Sequence, residues 1–155
     1  MTKFLLSLHV LTAVLAVGPV AVAASMFPKS LRQAAGSPGG PASLATLRTL
    51  HRICRVYAAV GVAVPLFGFA TASSLGVLSS AWLIASIVLT TAAAAVLAVW
   101  ILPAQEAALD ALQETRHTPL PRSAAQLAAL TGVFNLLWAT VTVLMIIRPG
   151  STTGA

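Results

Sequence analysis

Only three acidic residues, one cysteine and one tyrosine occur among the 155 residues of this chain, and charged residues of every kind make up 8% of it. A soluble domain carries roughly 25% charged residues, so this composition cannot cover a surface that faces water. The single cysteine, Cys54, excludes an internal disulfide and a thiolate metal cluster. No zinc pattern or nucleophile motif occurs. The glycine-rich GSPGGP has no strand before it and no lysine to complete a phosphate loop.

What is abundant is apolar. The chain is 58% hydrophobic, with a mean hydropathy of +0.93. Lipid is the expected solvent, and the length allows one domain. The net charge of +6 lies mostly beside hydrophobic runs, so topology and membrane lipids account for it and no nucleic acid is expected.

Four apolar runs stand out: residues 4–26, 56–75, 81–102 and 124–147. None contains Asp, Glu, Lys or Arg. The first alone makes a helix of about 34 Å, long enough to cross a bilayer. The expected fold class is therefore all-α, an integral membrane antiparallel four-helix bundle. The connection 28–55 holds Lys29, Arg32, Arg48, Arg52 and Arg55 without an acid, and 103–123 adds Arg116 and Arg122. Lys3 and Arg148 are the only cations elsewhere. The positive-inside rule then makes both connections cytoplasmic and places both termini outside a bacterial inner membrane. AVAAS before Met26 has the small residues of a signal-peptide cleavage site. Against cleavage, the apolar run exceeds the usual core of about 7–15 residues, and cleavage would move the five cations outside. The segment is read as the first span.

The two charged connections each show a stripe. In LATLRTLHRICRVY, Leu44, Leu47, Leu50 and Cys54 recur at helical spacing opposite Arg48, Arg52 and Arg55, with His51 assigned to the polar face. After Pro103, Glu106, Asp110 and Glu114 share one face. The arginines are expected to meet lipid headgroups or this acidic stripe. Three carboxylates on one face also admit a divalent cation or acid–base chemistry, but no calcium loop accompanies them.

Inside the spans the polar residues are few. His9, Ser86 and Thr142 each lie five residues from the outer end of their run, and Thr71 lies four. They form an expected polar layer in which a hydroxyl would bond His9. Asn135 sits about 10 Å deeper. Ala128, Thr131, Asn135, Trp138 and Thr142 make a polar seam on the last run, and Ala58, Gly61, Pro65, Gly68 and Ala72 make a small-residue seam on the second. His9 is also the candidate metal or haem ligand: haem with Met145 as its partner, or copper. No cofactor is the favoured expectation. A proton relay would need further ionisable groups in the spans, which have none.

With LHVLTAVLAVGPV opening the chain and HRICRVYAAVGVAVPLFGFA leading into the second run, the sequence resembles a family of uncharacterised bacterial integral membrane proteins, the domain-of-unknown-function family numbered 2269. The resemblance covers most of the chain and implies a high-GC bacterial source and no particular activity. The LHVL start with Gly18 also resembles the copper-resistance D proteins and the membrane protoporphyrinogen oxidases, which are associated with copper and haem. Their further histidines and charged membrane residues have no counterpart here, so only His9 carries over. The favoured function is a non-enzymatic accessory or scaffold protein associating with itself or a larger membrane complex. The alternatives are a haem- or copper-binding redox protein centred on His9, and a small-solute transporter.

The charge pattern makes a direct prediction. With Cys54→Ala as background, an impermeant thiol reagent on intact cells should label a cysteine at position 79 and spare one at position 37. The reverse pattern refutes the N-out, C-out arrangement.

Overall fold

The computed structural model describes residues 1–36, 41–113 and 120–150. The elements are α1 (Thr2–Gly36), α2 (Pro41–Gly61), α3 (Ala63–Leu75), α4 (Ala81–Ala95), a π-helical segment (Val96–Ile101), α5 (Leu102–Gln113) and α6 (Leu120–Ile147). No strand occurs among the described residues. Four stretches are long and apolar enough to cross a membrane: Thr2–Gly36, Ser43–Leu75, Ala81–Gln113 and Ala124–Ile147. They pack as a helical bundle in which α1 touches α2, α3 and α6.

These helices outrun the apolar runs, and the prolines show how. Pro103 was the expected end of the third run, yet the helix continues to Gln113. A proline lacks the N–H that the carbonyl four residues back requires, here that of Val99. The six residues before Leu102 widen into π geometry, and the Leu102 N–H bonds the Leu97 carbonyl five residues back. One wide turn shifts the register, so the helix passes Pro103 instead of stopping. Pro28 lies inside α1 in the same way, and the Ala24 carbonyl loses its donor. At Pro65 the chain tightens: Val62 separates α2 from α3, and its N–H bonds the Ala59 carbonyl at 3.2 Å.

The uncharged turn after α3 is closed by Gly76 in the left-handed region, φ 69°. The Val77 N–H reaches back to the Ala72 carbonyl at 3.2 Å. A side chain is disfavoured at this φ, which is why glycine ends the helix.

The main core gathers the second half of α1 (Val20, Ala24, Phe27, Leu31), the α2 stripe (Leu47, Leu50, Cys54), Ile101, Leu109 of α5, and Leu127 and Phe134 of α6. The apolar face expected for α2 is therefore the buried one. A smaller cluster of Ala72, Trp82 and Leu83, with Met145 packed on it, lies by the α3–α4 turn. The Arg148 guanidinium stands 5.7 Å from the centre of the Trp82 ring, a cation–π contact that ties the end of α6 to the start of α4. Val14, Leu66, Phe69, Val88, Leu136 and Ile146 point outward, where they are suited to lipid.

Phe27 is fully buried at the centre of the main core. Phe27→Ala should lower unfolding stability in detergent by about 3 kcal/mol, whereas Phe69→Ala, which is 61% exposed in the wild type, should change it little. Equal losses would show that the core is elsewhere.

Candidate functional site

His9 is half-buried on α1. Its Nδ1 lies 2.9 Å from the Val64 carbonyl oxygen. A carbonyl only accepts, so Nδ1 carries the proton and the Nε2 lone pair is left free. The ring fits because residue 68 is glycine: a Cβ there would stand 2.8 Å from His9 Cε1 and 3.0 Å from Nδ1. His9 thus sits in a notch of α3 and joins α1 to it.

The hydroxyls of the expected polar layer bond within their own helices. Thr71 donates to the Phe67 carbonyl at 2.7 Å, Ser86 to Trp82 at 2.8 Å and Thr142 to Trp138 at 2.9 Å. Thr71 and Ser86 are buried and Thr142 is exposed. Equal depth along a helix does not fix direction around it, and the carbonyl four residues back is always in reach of a Ser or Thr hydroxyl. The expectation that a hydroxyl bonds His9 is corrected: its partner is backbone. Met145 packs against the Trp82 cluster.

The polar seam of α6 has a definite use. Thr131, buried, donates to the Ala24 carbonyl at 3.5 Å. This is the carbonyl that Pro28 deprives of a donor. One turn along, Asn135 Nδ2 donates to Ser25 Oγ at 3.2 Å. The Thr131 hydroxyl is thus the polar group that the neighbouring helix brings toward this carbonyl, at the long limit of a hydrogen bond.

A third polar group joins α2 to α5. His51 Nδ1 lies 3.1 Å from Gln105 Oε1, and Gln105 Nε2 donates to Cys54 Sγ at 3.7 Å. Gln105 and Cys54 are fully buried and His51 is 8% exposed. This corrects the placing of His51 on the solvated face. Positions 47, 50, 51 and 54 share one helical face, and so do 105, 108, 109 and 112, so the spacing needed to see both was in the sequence. This contact links α2 to α5. Arg48, Arg52, Arg55, Glu106 and Asp110 are all exposed on the outward faces, and Glu114 lies outside the described residues. Among the described residues, no three His, Cys, Asp or Glu side chains converge to hold a metal ion.

No family model, no curated protein and no solved structure matches this chain.

The notch makes the glycines of these helices unequal. Gly68→Ala should push His9 off Val64 and lower the melting temperature by several degrees, the effect of about 1–2 kcal/mol in a chain this size. Gly132→Ala, with nothing within 4 Å of its added Cβ, should be neutral or slightly stabilising. A neutral Gly68→Ala would refute the notch.

Proposed function

We propose that this chain is a small multi-pass protein of a bacterial inner membrane, an antiparallel four-span bundle with both termini outside. Its role is that of a non-enzymatic accessory or scaffold subunit, associating with itself or with a larger membrane complex. The bacterial setting rests on the resemblance carried by LHVLTAVLAVGPV, and the orientation on the cations of 28–55. The observation that carries the reading is how the polar groups within the apolar helices are used. His9 is bonded to the Val64 carbonyl, Thr131 to that of Ala24 and Asn135 to Ser25. Each contact joins two helices, which is the work of packing and alignment. The outward faces are broad and apolar, which suits contact with lipid or with another membrane helix.

A second reading has one observation in its favour. A histidine that donates Nδ1–H to a backbone carbonyl presents its Nε2 lone pair in a fixed direction, which is how ligating histidines are prepared. His9 is arranged in this way, so haem or copper ligation is the competing proposal.

One preparation separates the two. The protein is extracted from its own membranes in mild detergent, cross-linked, and examined for mass, visible absorption and copper content. The scaffold reading expects a discrete homo-oligomer or a partner at fixed stoichiometry, with His9→Asn retaining that assembly. Haem or copper at one per chain, lost in His9→Asn, would overturn it.

A further inference from the structure

A cavity of about 180 Å³ lies inside the bundle and takes its wall from all four long apolar stretches. Val20 of α1, Tyr57 of α2, Pro65 of α3, Thr90 of α4, Leu97 of the π segment and Phe134 of α6 border it. The sequence shows why space is left there. Ala58, Gly61 and Ala94 line it with little or no side chain. The turn at Val62 and the π segment border it as well. Irregular turns move a helix off the line of its neighbour, and small side chains do not close the gap. Among the lining residues, Val62, Pro65 and Ala94 are exposed. All three lie well inside their apolar runs, so the mouth opens sideways onto the apolar surface of the bundle and not at its charged end.

The chemistry of the wall narrows the occupant. No Asp, Glu, Lys, Arg or His lines the cavity, so its ligand is neutral, and the cavity is separate from the His9 notch. Two lining residues carry hydroxyls, Tyr57 and Thr90. Ser86 and Thr91, neighbours of Thr90 on α4, bond the carbonyl four residues back at 2.8 and 2.9 Å. The Thr90 and Tyr57 hydroxyls make no hydrogen bond among the described residues. A hydroxyl without a partner in apolar surroundings is costly, and a ligand with acceptor oxygens would remove that cost. Trp138 also borders the cavity, but its N–H is already buried, so it offers its ring. With Tyr57 and Phe134 it makes three aromatic side chains around the space, which suits a flat ring. An apolar cavity of about 150 Å³ holds one benzene ring, so this one takes a small ring and is too small for haem.

We propose that this cavity binds the ring of a lipid-soluble quinone, which enters from the bilayer between Val62 and Ala94. The ring lies among Tyr57, Phe134 and Trp138, its carbonyl oxygens accept from the Thr90 and Tyr57 hydroxyls, and its tail trails through the mouth into lipid. An acyl chain could fill the same space, but it would leave both hydroxyls without a partner. The proposal concerns binding alone. It goes beyond the scaffold reading and does not depend on which side of the membrane the termini lie.

The test uses the full chain in non-ionic detergent, dialysed to equilibrium against matched micelles that hold either duroquinone or durene. Durene has the same ring and methyl groups as duroquinone and no oxygens, and matched micelles cancel simple partitioning. Duroquinone should be retained at up to one per chain and about fivefold more tightly than durene, the worth of one hydrogen bond. Thr90→Val and Tyr57→Phe should each weaken duroquinone about fivefold and leave durene unchanged. Ala94→Leu, which places a larger side chain at the exposed mouth, should abolish retention of both. Equal retention of the two compounds, or of neither, overturns the proposal: the cavity is then an apolar void or holds an acyl chain. Duroquinone binding that survives Ala94→Leu overturns the location. Binding that is unchanged in both hydroxyl variants overturns the recognition of a carbonyl. If Tyr57→Phe does not fold, Thr90→Val, which keeps the shape, and Ala94→Leu, which changes an exposed position, still decide in the same way.

Discussion

A backbone carbonyl surrounded by hydrocarbon has no water to turn to, and each one left without a donor costs free energy. Three of the prolines inside the apolar helices show how the chain answers that constraint. At Pro28 the freed Ala24 carbonyl receives the Thr131 hydroxyl from α6. At Pro103 the helix widens into a π segment, with the Leu102 N–H bonded to Leu97. At Pro65 the chain tightens at Val62 and divides α2 from α3. One break is repaired by another helix, one by a change of register and one by a turn. Only the first involves a second helix.

Polar pairs set alignment in such a bundle because apolar packing alone is permissive. Lipid tails are as apolar as leucine, so burying a leucine between helices gains little that lipid does not already provide. A hydrogen bond contributes about 0.6–2 kcal/mol and has one correct geometry. His9 on Val64, Thr131 on Ala24 and Gln105 on His51 fix α1 to α3, α6 to α1, and α5 to α2. His9 shows how close fit and polarity combine. Its ring needs both the Val64 oxygen and the missing side chain at Gly68.

Burial is uneven along the bundle. The main core brings together α1, α2, α5 and α6 beside the charged connections, while the α3–α4 turn is held by the small Trp82 cluster and by Arg148. The better-packed end is also where the arginines lie and where His51 leaves one nitrogen unpartnered.

The membrane class, the number of long apolar helices and the buried stripe of α2 were legible in the sequence alone. They depend on composition and on a 3.6-residue period, and both are local properties. The partner of His9 was not legible. Val64 offers a backbone oxygen, which every residue has, so no residue type marked it. Thr131 lay on a visible seam, but its task appeared only once α6 was set beside Pro28. His51 occupies a boundary position, three residues from Arg48 on one side and from Cys54 on the other, so either face could claim it. Gln105 decided the matter by approaching from another helix. Where a helix turns its polar groups depends on what packs against it, and that information belongs to the tertiary structure.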